Sequence, residues 1–266
     1  MRRPGHTVIR RSFALLLASA CAGCHGGGPL LHPAHVLRPG FVSVGAGLSG
    51  EMVVAGSPAL ASPDAVGPAA SESAARLKLS EIAVAPGVAP WASARVGIEG
   101  ENEAGLTYTG RAIRLDGRHA FPLGEAALSI GLGASALFSG GPGAAAEGSD
   151  VHGAGIDVPV LLGFRSDADL YAVWFGPRLG FELLGGEVRL PASGAATAAT
   201  GGPLVDASGQ HLQVGFVLGV RGGFRHVHVA VEATATYHHA DGEIAGAPVS
   251  LGQGTVAPGG GVTVTF

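Results

Sequence analysis

The chain reads as all-β: an antiparallel barrel of about ten strands, with eight as the alternative, that crosses a membrane with its strands. Three observations predict this. From residue 40 onward, successive segments alternate strictly between apolar and small or polar side chains, and period-2 alternation marks a strand with two unlike faces. The segments approach the roughly 9–11 residues that a tilted strand needs to cross a bilayer. The connections alternate between tight turns and long runs of small residues, as in barrels that keep turns on one side of the membrane and loops on the other.

Composition agrees. At 266 residues the chain is long enough for one such domain. With 47% hydrophobic residues it is too apolar to stay disordered. Yet beyond the leader no apolar run nears the roughly 18 residues of a membrane-spanning helix. A net charge of −4 argues against a nucleic-acid partner.

Residues 1–20 read as a signal peptide. "MRRPGHTVIRR" is a basic start and "SFALLLASA" a short apolar stretch. The chain's 2 cysteines, Cys21 and Cys24, follow at once, which argues against a disulfide framework. "LASAC" resembles a bacterial lipobox, which implies lipidation of Cys21; Cys24 in "CAGC" is the second candidate. Incidental thiols beside an ordinary cleavage site are the alternative. "RRSF" also resembles a twin-arginine signal, but that route carries folded cargo and suits a membrane barrel poorly.

Residues 21–40 read as a periplasmic linker because "HGGGPLLHPAHVLRPG" is rich in Gly, Pro and His. Its histidines, His25, His32 and His35, are irregularly spaced, and processing leaves them no cysteine or acid partner. They are therefore not expected to hold a metal.

Residues 41–266 form the barrel. Strands are expected near 41–54, 91–99, 104–117, 124–138, 153–165, 170–184, 210–222, 226–238 and 254–266. In "HVHVAVEATATYH", Val227, Val229, Val231, Ala233, Ala235 and Tyr237 share one face, while His226, His228, Glu232, Thr234 and Thr236 share the other. In "HLQVGFVLGV", Leu212, Val214, Phe216, Leu218 and Val220 stand against His211, Gln213 and Gly215. Nine strands are an odd number and would leave the two ends on opposite sides. A tenth is expected at 76–86, "RLKLSEIAVAP", with 55–75 as an outer loop and "PGVAPW" as a periplasmic turn. The stretches 139–151, 185–209 and 239–253 are expected as long outer loops.

The chain closes on "GGGVTVTF". Val262, Val264 and Phe266 resemble the C-terminal signature of bacterial outer-membrane barrel proteins, which implies recognition by the barrel-assembly machinery. "WASARVGIEGENEAGLTYTG" is similar to a strand–turn–strand unit of small uncharacterised barrels of that kind. The resemblance implies a Gram-negative outer-membrane location and outer-membrane lipid as the surrounding partner. It implies no activity. Aromatic content is only 6%, so the expected interfacial residues are few: Trp91, Tyr108, Tyr171 and Tyr237.

Charge collects on the inward face: Arg95, Glu99, Arg111, Asp157, Arg178, Glu182, Arg221 and Glu232. Bases and acids balance. A selective pore concentrates one sign at a constriction, whereas a balanced set pairs internally, because an unpaired buried charge is costly. Structural lining is therefore expected over a porin-like channel.

Other motifs carry less. His226 and His228 have metal-ligand spacing but sit beside Arg221 and Arg225, so rim histidines are expected. His239 and Asp241 can form an acid–base pair. Ten-stranded outer-membrane proteases use acids and an Asp–His pair at the rim, but the order here is reversed and only Asp150 offers a further acid. Ser250 near His238 is the counterpart for a lipid-deacylase pairing. "GPGAAAEG" lacks the Lys and hydroxyl residue of a phosphate loop. The expectation is a non-enzymatic barrel without cofactor, serving envelope structure, surface interaction or small-solute passage. The alternatives are a soluble periplasmic β-barrel or sandwich lipoprotein binding an apolar ligand, and a rim-located hydrolase.

Overall fold

A computed structural model describes residues 27–56, 68–138, 149–190 and 202–266. Ten strands follow one another in the chain: β1 (Val42–Ala55), β2 (Gly87–Ile98), β3 (Asn102–Tyr108), β4 (Ala112–Leu123), β5 (Ala126–Phe138), β6 (Asp150–Arg165), β7 (Tyr171–Arg189), β8 (Leu204–Phe224), β9 (Val227–Ile244) and β10 (Ala247–Thr265). One helix, α1 (Pro68–Ala83), lies between β1 and β2. Each strand pairs antiparallel with its sequence neighbours, and β1 closes on β10 through pairs such as Val44↔Val264 and Ala46↔Val262. Closure leaves no open sheet edge. The C-terminal residues Val262 and Val264 thus lie in the closing seam, and Phe266 exchanges backbone hydrogen bonds with Val42.

The apolar face points outward. Val231, Leu218, Leu183, Ile156, Leu132 and Leu115 are all more than half exposed, on six different strands. A soluble sandwich or closed-core barrel would bury these side chains, so the soluble alternative does not fit. The outward belt is that of a transmembrane barrel. No helix among the described residues is long and apolar enough to cross a membrane.

Both chain ends of the barrel lie on one side, together with the turns after β2, β4, β6 and β8. That side carries an exposed aromatic ring of Phe41, Phe121, Phe164, Tyr171, Phe224 and Phe266. Tyr108, Phe138 and Tyr237 stand towards the other side, with Tyr108 and Phe138 stacked at 6.4 Å. Phenylalanine thus fills much of the girdle. Trp91, expected at the interface, instead points inward and is 3% exposed.

The strand count agrees with the expectation, but two strands are placed differently. Residues 76–83 are helical, because Ala75, Leu79 and Ala83 recur every four residues and are all buried. The tenth strand arises by splitting 104–117 at Gly110, whose φ of +82° turns the chain between β3 and β4. Consequently "PGVAPW" runs into the start of β2 on the side opposite the chain ends, and β2 runs opposite to the expected direction. The stretch 239–253 is also not a long loop. β9 and β10 continue to a tight turn at Ala245 and Gly246, with φ of 55° and 75°, the sign a type I′ hairpin turn requires.

Candidate functional site

The lumen is the candidate site, and it is filled from both ends. Residues expected as a periplasmic linker instead enter the barrel: from Leu37 back to Gly27 the chain forms a strap inside the wall, and Arg38, Pro39 and Gly40 are exposed at its mouth. Leu30 and Leu31 donate their backbone N–H groups to the two oxygens of Glu232, each at 2.8 Å. Leu37 N–H donates to Glu103 at 2.8 Å. Ser49 Oγ donates to Gly27 O at 2.9 Å. Arg178 donates to Gly28 O, and Arg118 donates to Pro33 O and His35 O. The Nδ1 of His32 lies 2.8 Å from Arg118 Nη1. A guanidinium only donates, so that ring nitrogen accepts.

Leu30, Leu31 and Ala34 of the strap pack with Trp91, Leu161, Trp174, Val217 and Ala230 into a buried cluster within the lumen. The inward glycines make room for the indoles. A Cβ on Gly219 would stand 2.2 Å from the Trp174 ring, and one on Gly261 2.3 Å from the Trp91 ring. The small-residue inward face therefore marks a packed lumen rather than an empty one.

Beside the strap runs a network of ion pairs on β2, β3, β4, β6 and β7. Arg95 joins Glu103 and Asp116; Arg114 joins Asp116 and Asp157; Arg178 reaches Asp157 at 3.1 Å; Arg118 reaches Glu103 at 2.9 Å. Together with Glu232, four arginines meet four carboxylates. Of the residues expected inside, Arg95, Asp157, Arg178 and Glu232 lie in or beside this network. Arg111 and Glu182 pair at 3.3 Å towards the α1 end of the barrel, and Arg221 pairs with Asp169 at 2.6 Å at the mouth on the side of the chain ends. Glu99 is not in the lumen. It is exposed in the turn after β2, where the alternation has ended. Arg114, Asp116 and Arg118 were missed because their facing depends on the change of register at Gly110; Glu103 was missed because it lies one residue before the strand expected at 104–117.

At the outer end, Leu79, Ala83 and Val84 pack against Val188, Ala207, Ala240, Ile244, Val249 and Leu251 of the tall β7–β10 wall. Arg111 donates to Ile82 O and Ala83 O, carbonyls at the C-terminus of α1 that lack a helical partner. Ser80 Oγ donates to Gln253 Oε1 at 2.8 Å. Below the helix, Glu182, His211, His238 and Thr255 form a chain with spacings of 2.9, 3.0 and 2.8 Å. Between strap and helix remain two overlapping cavities of about 40 and 90 Å³, bordered by Gly27, Glu51, Arg178, Gln213 and His238. They hold a few waters at most.

The remaining candidates are dispersed. His228 is buried at the mouth, 3.0 Å from Asp169 O, while His226 is exposed in the turn against Thr265 O at 2.8 Å. They do not share a site. His239 and Asp241 do pair at 3.0 Å, but both are nearly half exposed on the outer wall, away from the lumen. Among the described residues no group of three or more His, Cys, Asp or Glu could hold a metal ion. Residues 1–20, Cys21, Cys24 and His25 lie outside the described residues.

No protein-family model matches the chain. No curated protein matches it either. Among solved structures it is similar to Neisserial surface protein A (NspA), with 11% identity over 85% of this chain and 96% of that one, at a TM-score of 0.33. It is also similar to Ail, the attachment invasion locus protein of Yersinia pestis, with 9% identity over 86% and 100% of the two chains, at a TM-score of 0.28. Both are distant barrels, and nothing about role follows from these values.

Proposed function

We propose that the protein is a non-conducting, non-enzymatic barrel of the bacterial outer membrane that serves envelope structure or surface interaction. One observation carries the reading: among the described residues, strap and helix occupy the lumen, and the two cavities left between them have room for a few waters only. A packed, internally neutralised lumen has neither the width nor the charge excess of a selective pore. The even strand number, the outward apolar belt and the terminal "VTVTF" support the location. The exposed pair of His239 and Asp241 lies on a convex wall, so the hydrolase alternative lacks a substrate cleft there. The protein reconstituted in planar bilayers should give no steady single-channel steps; stable openings would overturn the closed-lumen reading. A tag inserted at 191–201 should be detected on intact cells, and detection only after the outer membrane is breached would overturn the orientation. Lipidation of Cys21 belongs to the same proposal, and Cys21→Ser should abolish incorporation of labelled fatty acid.

A further inference from the structure

The bonds between wall and strap have a common form. Glu232, Glu103, Ser49, Arg178 and Arg118 all reach backbone atoms of the strap, at Leu30, Leu31, Leu37, Gly27, Gly28, Pro33 and His35. His32 is the exception, held through its side chain. Wall side chains thus read a main chain, and the apolar pocket of Trp91, Leu161, Trp174, Val217 and Ala230 reads two adjacent apolar residues. Main-chain bonds for affinity and pockets for side-chain choice are the way proteins bind extended peptides.

The wall does not need the strap to stay paired. Among the described residues no backbone–backbone hydrogen bond ties residues 27–37 to a wall strand. The ladder between β1 and β10 closes without it. Arg95, Glu103, Asp116, Arg114, Asp157 and Arg178 neutralise one another across the wall. Glu232 and Arg118 are the exceptions: without the strap Arg118 keeps only Glu103, and Glu232 keeps only the indole N–H of Trp174, at 3.0 Å. A buried carboxylate left so poorly satisfied favours any occupant that offers two adjacent N–H donors.

We propose that the lumen is a recognition site for an extended polypeptide main chain, and that the strap is its exchangeable occupant, giving way to a peptide segment of a second chain. The ligand class is a peptide in extended form with two neighbouring apolar side chains and free N–H groups at both. While attached, the strap competes at the high effective concentration of a short tether.

The test starts from the folded full chain in lipid vesicles, with a specific protease site inserted between Pro39 and Gly40. After cutting, a fluorescent synthetic peptide of residues 27–38 should enter saturably, and the uncut protein should bind it at least 100-fold more weakly. Glu232→Gln in the cut protein should weaken binding at least tenfold, as should N-methylation of the peptide at Leu31. A peptide with the Leu pair kept and the other residues shuffled should bind within a few-fold. If the cut strap stays bound and no peptide enters, the strap is a fixed part of the core and the proposal fails. If the shuffled peptide does not bind, main-chain recognition fails. The unmodified protein supplies an independent measurement should the insertion prevent folding. Hydrogen exchange at Leu30 and Leu31 should be at least 100-fold faster than at Val231 of β9; equal protection would overturn exchangeability.

Discussion

Trp174 donates its indole N–H to Glu232 across 3.0 Å inside the lumen, from β7 to β9. The same carboxylate accepts the N–H groups of Leu30 and Leu31. One acid therefore fastens the strap to two strands of the wall. Glu232→Ala leaves three buried donors without a partner, and each orphaned group costs about 1–3 kcal/mol. Part of that is recovered by water entering the adjacent cavity. The expected loss is about 2–4 kcal/mol of stability in urea unfolding from vesicles, with Glu232→Gln less severe. A loss below about 0.5 kcal/mol for Glu232→Ala would show that the strap is not held there.

Facing and depth on β9 make a second test. Val231 is 56% exposed on the outward face, between Val229 and Ala233 in the middle of the apolar stretch from Val227 to Tyr237. His239 lies on the same face beyond that stretch and is exposed. Arg at Val231 should cost about 2–4 kcal/mol, and Arg at His239 only about 0–1 kcal/mol. Equal costs in vesicle unfolding would mean that this face meets no membrane.

These facings were legible because β9 alternates without interruption, so one phase fixes every side chain. The same rule failed at Gly110. Outward residues are even-numbered before it (Leu106, Tyr108) and odd-numbered after it (Ile113, Leu115), and that switch of parity is the signal of the β3–β4 turn. Missing it concealed Arg114, Asp116 and Arg118, whereas Glu103 lay one residue before the strand expected at 104–117. In α1, Leu77 and Leu79 imitate a strand locally, and only the wider spacing of Ala75, Leu79 and Ala83 reveals the helix. The strap had no readable signal of its fold. Its Gly and Pro content is that of a linker, and its partners Glu103 and Glu232 lie 66 and 202 residues away in sequence.

The tall wall carries a row of like charges. Asp150 stands opposite Glu187 on β7, and Glu187 opposite Asp206 on β8, all three exposed on the outer face. Directly opposed like charges destabilise a sheet by about 0.2–1 kcal/mol per pair. Glu187→Gln removes both repulsions and should raise stability at low ionic strength by about that amount. The gain should shrink as salt rises and screening shortens the interaction to below about 10 Å. A gain that is unchanged in high salt, or a loss, would contradict this account.

The strap should respond to acid through His35 at the mouth on the side of the chain ends. Burial, and then the positive charge of Arg165, lower its pKa from the usual 6.5 to about 4, against a partly opposing hydrogen bond with the Glu125 backbone and the charge of Asp169. Arg118 adds to the lowering. A histidine with a depressed folded-state pKa binds fewer protons when folded than when released. Between pH 6.5 and 4 the released form therefore gains protons that the seated form refuses, and seating weakens as pH falls. His32 acts in the same direction, since its Nδ1 faces the donor Arg118 and must stay unprotonated. Protection of the Leu30 and Leu31 amides, corrected for intrinsic exchange, should fall from pH 7 to pH 5 while protection of β9 changes little. His35→Gln should flatten part of that slope and His32→Gln a further part. If protection rises on acidification, or both variants keep the full slope, the two histidines do not set the seating of the strap.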